Sequence, residues 1–389
     1  MTKFQPTNIK GANDFLPATQ IMRNKVIDTL KTNFETFGYL PLETALLNYY
    51  DLLSYKYDEK AEILREIYKL RDQGDRELGL RFDLTVPFCK VIAMNRNLRM
   101  PFKRYEIGKV FRNGPVKLGR TREFYQCDVD CVGVSGAHIE AELVSLAVKC
   151  FLALGIEPTI KIGNRGRLVA AIEAAGITDI NAALATLDKD GKIPNLTALT
   201  RDDELFGILD KMGLSKYVEH APYLARGLNI YTGTVWEVYD KAKRLPSALG
   251  GGGRYDEIIG NFIDNGQKYP AVGISFGLEP ICAILQSDNK PAHCVDLVII
   301  PMNTQTEAQQ FADTLRAQGL RVLVYLGGKS VGKAFEYANA ENIPFATVLG
   351  ETEVKSGNIN IKNMYSGVQL AFSMKDVLKI KQSVKGEQK

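Results

Sequence analysis

Two kinds of strand-like run occupy this chain, and the change from one to the other falls at a single place. Beyond residue 294, VDLVIIP (295–301), LRVLVYL (320–326) and FATVLG (345–350) are apolar almost without interruption, which is how strands covered on both faces read. Helical periodicity lies between them, near 305–318 and 330–342. The spacing therefore predicts an α/β unit with a parallel or mixed sheet over 294–389. Before residue 286 the strands alternate between apolar and polar positions instead, which predicts a largely antiparallel sheet with helices packed on it. QSDNKPAH (286–293) separates the two patterns and reads as a linker. A chain of 389 residues is long enough to build two or three such cores.

The clearest alternation lies in RYEIGKVFRNGPVKLGRTREFYQCDVDCVG, from Arg104 to Gly133. Two strands flank a loop carrying Lys117, Arg120 and Arg122. On the second strand, Tyr125, Cys127, Val129 and Cys131 form a core face, and Phe124, Gln126, Asp128 and Asp130 form the other. At ~3.3 Å per residue, Gln126 and Asp130 lie roughly 13 Å apart. That polar face fits either the solvated side of an antiparallel sheet or a row of contacts to one charged, planar ligand.

Helical patterns occupy 18–38, 138–153 and Arg165–Ala175, with a weakly patterned helical insertion over about 164–220. RFDLTVP (81–87) reads as extended and leads into a helix ending near Asn95. Strands are expected at 157–163, 231–239 and 271–277.

Composition narrows the classes of function. A net charge of +4 permits a local nucleic-acid patch without requiring one. The six cysteines (Cys89, Cys127, Cys131, Cys150, Cys282, Cys294) show no CxxC pair and read as reduced core residues of a cytoplasmic protein. Three scattered histidines (His138, His220, His293) give no His-based metal site and no serine-type triad. The N-terminus MTKFQPTNIKG has no apolar signal core, and no run has the length to span a bilayer. GGKSVGKA (327–334) nearly matches a phosphate loop, but Ala334 stands where the magnesium-holding Ser or Thr belongs. It fits an ordinary helix start or a contact to an RNA backbone better than a nucleotidase.

Several groups suit a nucleotide beside an amino acid. Arg112, Arg122 and Arg226 offer planar forks matched to phosphate oxygens. Phe124 can stack on a base, and the glycine run Gly250–Gly253 lets a backbone approach one. Asp83, Asp128 and Asp130, with Thr85, Gln126 and Tyr231, supply acceptors for an α-ammonium group and a polar ring. Asp83 also fits a helix cap ahead of Thr85.

IKGANDFLP (9–17), LRFDLTVP (80–87), GRTREFYQCDVD (119–130), ARGLNIYTG (225–233) and GGRYD (252–256) resemble, in order, the landmarks of the class II histidyl-tRNA synthetases, over nearly the whole chain. The resemblance implies an α+β fold. A class II antiparallel sheet flanked by helices would fill 1–285, and an anticodon-binding α/β domain 294–389. It implies histidine–tRNA ligase activity using ATP with Mg2+, tRNA(His) and L-histidine as partners, and a homodimer. Carried over, Asp83, Thr85 and Gln126 would hold the α-amino group, and Asp130 and Tyr231 the imidazole. Arg112 would meet the α-phosphate, Arg226 the charge developing there, and Phe124, Gly252 and Gly253 the adenosine side.

The departures are specific. The family's third motif ends Gly-Leu-Glu-Arg, and this chain has Pro280 in place of that triphosphate-binding arginine. Gly114 stands where the second motif has an acid, Ala45 where the first has proline, and Asn229-Ile230 where Asp-Tyr is usual. The segment between Asn164 and Arg226 is shorter. Lys117, Arg120 and Arg254 are the candidate substitutes for the missing cation. The alternative reading is a catalytically impaired paralogue, a histidine-binding regulatory subunit of ATP phosphoribosyltransferase.

Overall fold

The computed structural model describes residues 5–55, 62–117, 119–190, 200–224, 230–286, 294–328 and 330–386. The chain divides into two compact units, one of residues 1–14 and 23–288 and one of 15–22 and 289–389. The expected 286–293 linker lies mostly outside the described residues.

An eight-stranded sheet forms the frame of the larger unit. Its order is Leu40–Pro41, Phe102–Phe111, Glu123–Val132, Ala271–Gly277, Gly250–Arg254, Thr234–Asp240, Pro158–Asn164 and Val218–His220. Pairing is antiparallel through the interior and parallel at each edge. Alternation decides which side is covered. Cys127, Val129, Cys131 and Phe276 are fully buried on the back face. There Phe276 meets Phe34 of the helix Pro17–Thr36 (5.4 Å between centroids) and Phe151 of the helix Ala137–Ala153 (5.5 Å). Glu279 accepts from the buried Arg23 guanidinium at 2.9 Å and from the Tyr125 amide at 3.1 Å, fixing the first helix to the sheet. Five cysteines are buried and Cys294 is exposed; all six are free thiols.

RFDLTVP is not extended throughout. The helix begins at Thr85 and runs to Met94, because the Val86 amide donates to Asp83 Oδ1 at 3.0 Å and Pro87 falls in the first turn. Proline is tolerated there, since its missing N–H has no intrahelical partner anyway. The polar region before it holds an unforeseen three-stranded sheet of Leu47–Tyr49, Glu77–Leu80 and Lys69–Arg71. Its strands are too short for alternation to stand out.

In the second unit the sheet order is Val322–Val324, Leu297–Pro301, Phe345–Leu349, Asn358–Asn363 and Gln369–Ser373. The first three strands are parallel and the closing hairpin is antiparallel. That hairpin and the helix Val377–Gly386 carry too few apolar residues to stand out in sequence. Buried Asp296 takes both Arg321 (2.6 Å) and Lys385 (2.8 Å), and these partners outweigh burial to hold its carboxyl down at about 2. Ala334, where a phosphate loop needs Ser or Thr, is buried with Val298, Ile300 and Ala346. The position is a core contact.

A charged network runs through the larger unit's interior. Arg81 Nη1 donates to Glu106 Oε1 at 2.7 Å, and Arg104 pairs with Asp130 at 2.7 Å while lying 3.5 Å from Glu106. Tyr255 donates its hydroxyl to Asp130 Oδ1, and Phe88 lies 4.3 Å beneath the Arg104 guanidinium. Breaking a buried pair from one side typically costs about 3–5 kcal/mol, because the other charge stays buried. Arg104→Met is therefore expected to destabilise the larger unit by about that amount. Urea unfolding followed by fluorescence of Trp236, the chain's single tryptophan, reads this unit alone. An unchanged midpoint would show that the pair carries little.

Candidate active site

Register builds a concave floor on the sheet's front face. Across the Gln126 strand, Asp128 lies opposite Ser275 on one side and Glu106 on the other, while Asp130 lies opposite Gly273 and Arg104. Gln126 lies between Gly277 and Gly108, and Ser275 is paired in turn with Gly251. Acids and an amide thus stand in a row whose neighbours on the Ala271–Gly277 strand carry little or no side chain, while Arg104 and Glu106 flank it on the other. A Cβ at Gly273 would come within 1.9 Å of Asp130 Oδ1. Only glycine leaves that carboxylate room.

The turn of residues 81–84 brings Asp83 to the same floor and is held by two arginines. Arg104 Nη2 donates to Leu84 O at 3.2 Å, and Arg112 Nε donates to Phe82 O at 2.9 Å. The Arg112 guanidinium also lies 5.4 Å from the centre of the Phe124 ring.

Above the floor is a cavity of about 460 Å³, within the range of small-molecule sites. Asp83, Thr85, Arg112, Phe124, Gln126 and Tyr231 all line it. Asp130 does not, since Arg104 and Tyr255 occupy its carboxylate beneath the floor. Gly252 and Gly253 are also absent from the wall, where Gly250 and Gly251 stand instead. Their lack of a side chain serves packing: a Cβ at Gly252 would lie 2.0 Å from Gly273 O, and one at Gly253 2.5 Å from Thr234 O. Arg226 lies outside the described residues.

Among the candidate substitute cations, Arg120 reaches the wall. Arg254 is taken up by Glu140 at 2.6 Å and by the Val134 and Gly136 carbonyls, and Lys117 is outside the lining set. Pro280 packs against the turn that carries Arg120: a Cβ at Gly119 would sit 3.7 Å from the proline Cα. Glu66 also lines the cavity and pairs with Arg120 at 3.3 Å. A Cβ at Gly114 would lie 2.4 Å from Glu66 Oε1, so this carboxylate occupies the space next to the departed motif acid.

The acceptors are short of donors. Asp83 Oδ2, Gln126 Oε1 and Asp128 Oδ1 are buried and have no hydrogen-bond partner among the described residues. Burial raises the Asp83 carboxyl to about 6, against the pull of the Val86 amide, Arg112 and Arg104. It raises Asp128 to about 8, reinforced by the neighbouring Asp130 charge. Burial also pushes Asp130 up, with Arg104 and Tyr255 pulling it back. Such a site is suited to a cationic ligand. No group of three or more His, Cys, Asp or Glu side chains is placed to hold a metal ion among the described residues.

Sequence reasoning missed Ser275, Gly277 and Glu66 in the wall. One signal was present: in AVGISFG, Gly273, Ser275 and Gly277 alternate with buried Val272, Ile274 and Phe276. A row of small residues opposite a core face marks a floor. Glu66 carried no such pattern.

Residues 11–212 and 192–281 match the family described as histidyl-tRNA synthetase, and 296–383 match the anticodon binding domain. Histidine–tRNA ligase 1 of Bacillus cereus is 41% identical over 411 residues, spanning 93% of this chain and 96% of that one. The crystal structure of histidyl-tRNA synthetase from Nostoc sp. PCC 7120 superposes with a TM-score of 0.80 at 25% identity, covering 97% of this chain and 99% of that one. A Bacillus halodurans C protein described as an ATP phosphoribosyltransferase regulatory subunit/histidyl-tRNA synthetase shares the fold, with a TM-score of 0.74 at 22% identity, covering 90% and 99%. With a family match over most of the length and a relative of this identity nearly end to end, the chain belongs to the histidyl-tRNA synthetase family.

Proposed function

We propose that this protein is a histidine–tRNA ligase, activating L-histidine with ATP and transferring it to the 3′ end of tRNA(His). One observation carries the reading. A single cavity holds unpaired acceptors at Asp83 and Gln126 together with Arg112, Phe124 and Arg120. Along the strand, Phe124 and Asp128 are four residues apart, roughly 13 Å, about the span of an amino acid joined to a nucleotide phosphate.

In this reading Asp83, Thr85 and Gln126 take the substrate ammonium, and Tyr231 lies toward the imidazole. The resemblance also assigns the imidazole to Asp130, whose carboxylate would have to exchange a partner to reach it. The substrate carboxylate oxygen forms a bond to the α-phosphorus of ATP, the bond from that phosphorus to the bridging oxygen breaks, and pyrophosphate leaves. Arg112 and Arg226 stabilise charge there, chiefly by positioning and preorganised electrostatics. Phe124 stacks on adenine, and Gly250 and Gly251 let the nucleotide approach the backbone. Magnesium arrives with the ATP phosphates as part of that substrate. A tRNA ribose hydroxyl then attacks the acyl carbon and AMP departs. The 296–383 unit reads the anticodon.

Arg120 takes over the triphosphate from the arginine that Pro280 replaces. A charge-assisted contact is worth about 1.5–3 kcal/mol, so Arg120→Ala should raise the KM for ATP by roughly 10-fold to 100-fold. The KM for histidine should be little changed. Steady-state pyrophosphate exchange measures both, and an unmoved ATP KM rejects this assignment.

The protein also acts as a homodimer in this reading. Register places Leu47, Tyr49, Leu70, Leu78 and Leu80 on one face of the three-stranded sheet, and Leu47, Tyr49 and Leu70 are exposed. An exposed apolar face of this kind marks a protein contact. Leu47→Asp with Leu70→Asp should halve the mass seen by sedimentation equilibrium. A monomeric parent protein would refute the dimer.

Histidine-dependent exchange of labelled pyrophosphate into ATP tests the activity itself, and charging of tRNA(His) follows it. A regulatory paralogue would bind histidine without exchange. Absence of exchange, beside a working control synthetase, removes the ligase reading.

A further inference from the structure

We infer that Asp128 is a direct substrate contact, its Oδ1 completing with Asp83 Oδ2 and Gln126 Oε1 a three-acceptor socket for the α-ammonium group. The inference rests on the ligase reading only in taking an α-amino acid as the ligand. Asp128 is 3% exposed and lines the cavity. Its side chain has one partner on the floor, the Ser275 hydroxyl. That hydroxyl also accepts from Gln126 Nε2 at 3.2 Å. With its proton directed to Asp128 and its lone pair to the amide, Ser275 fixes which way Gln126 points. The amide nitrogen is bound below, so Oε1 is the atom left for the ligand.

The three atoms are all acceptors, and an ammonium group has three N–H donors. Against the ionised Asp128, a carboxylate ligand or a neutral ring presenting a lone pair would meet repulsion. The nearest buried positive charge, Arg104, makes its contacts with Asp130, Glu106 and the Leu84 carbonyl and acts on Asp128 only through space. Among the described residues no cation is in contact with Asp128, and an incoming ammonium supplies one. The same geometry gives a proton linkage. Burial favours the protonated form of Asp128 up to about pH 8, and a bound cation favours the carboxylate. Binding then releases a proton at neutral pH, and affinity rises as pH approaches 8.

The test compares two probes by isothermal titration calorimetry. Histidinol keeps the ammonium and imidazole, whereas 3-(imidazol-4-yl)propionate keeps the imidazole and lacks the ammonium. For Asp128→Asn, histidinol affinity should fall roughly 10-fold to 100-fold, with affinity for the propionate within about 2-fold of wild type. The parent protein should release protons on binding histidinol at pH 7, read from buffers of different ionisation enthalpy, and Asp128→Asn should release markedly fewer. Equal losses for both probes would give Asp128 to the ring and overturn the assignment, as would unchanged histidinol binding. If Asp128→Asn does not fold, Ser275→Ala decides: a several-fold loss confined to histidinol supports the socket, and equal binding of both probes rejects it. Failure of the parent protein to bind histidinol at all overturns the ligase reading, and this one with it.

Discussion

Arg104 holds together a site that would otherwise push itself apart. Asp83, Asp128, Asp130 and Glu106 are all buried within one neighbourhood, and like charges in low dielectric repel strongly. The fully buried guanidinium of Arg104 pairs with Asp130, lies beside Glu106 and ties down the Leu84 carbonyl next to Asp83. Arg81 closes the network from the other end by taking Glu106 and the Thr44 carbonyl. Two carboxylates are thereby neutralised below the floor, and two acids above it keep oxygens without partners. The unequal division of positive charge is what leaves the cavity lined by acceptors without partners.

Glycine makes that arrangement sterically feasible. Gly273 yields its Cβ space to the Asp130 carboxylate, and Gly108 yields the equivalent space to Arg81, whose Nη2 would lie 2.3 Å from a Cβ there. Gly251 and Gly277 leave the cavity open beside Ser275 and Gln126. These glycines sit in regular strands, where they carry a cost in chain entropy. Their value is the room they give polar groups on neighbouring strands.

Two of the departures from the family pattern, Pro280 and Gly114, fall beside one wall of the cavity. Pro280 and Gly114 remove a cation and an acid from their usual positions. Arg120 and Glu66 line the same wall, paired with one another and adjacent to the two altered positions. The charge content of that wall is therefore retained through residues from different segments. Asp83, Thr85, Gln126 and Tyr231 stand at their motif positions, and Asp128 and Ser275 line the cavity beside them.

The sequence by itself determined the longer strands, the two patterns of burial, and the family. Each follows from local periodicity, as in Glu123–Val132, or from short contiguous motifs, as RFDLTVP is for the family. It also placed Asp83, Gln126, Arg112 and Phe124 as candidates, because those residues stand within the motifs. Tertiary structure decided how the acids divide. Asp128 and Asp130 lie two apart on one face and look alike in sequence, but Arg104 and Tyr255 reach only the second. It also decided that Glu66, more than forty residues before Gly114, fills the adjoining space, and that Gly250 and Gly251 rather than Gly252 and Gly253 meet the cavity. The reason is physical: alternation fixes the face a side chain occupies, whereas its partners come from strand order and register, set by contacts between residues far apart in the chain.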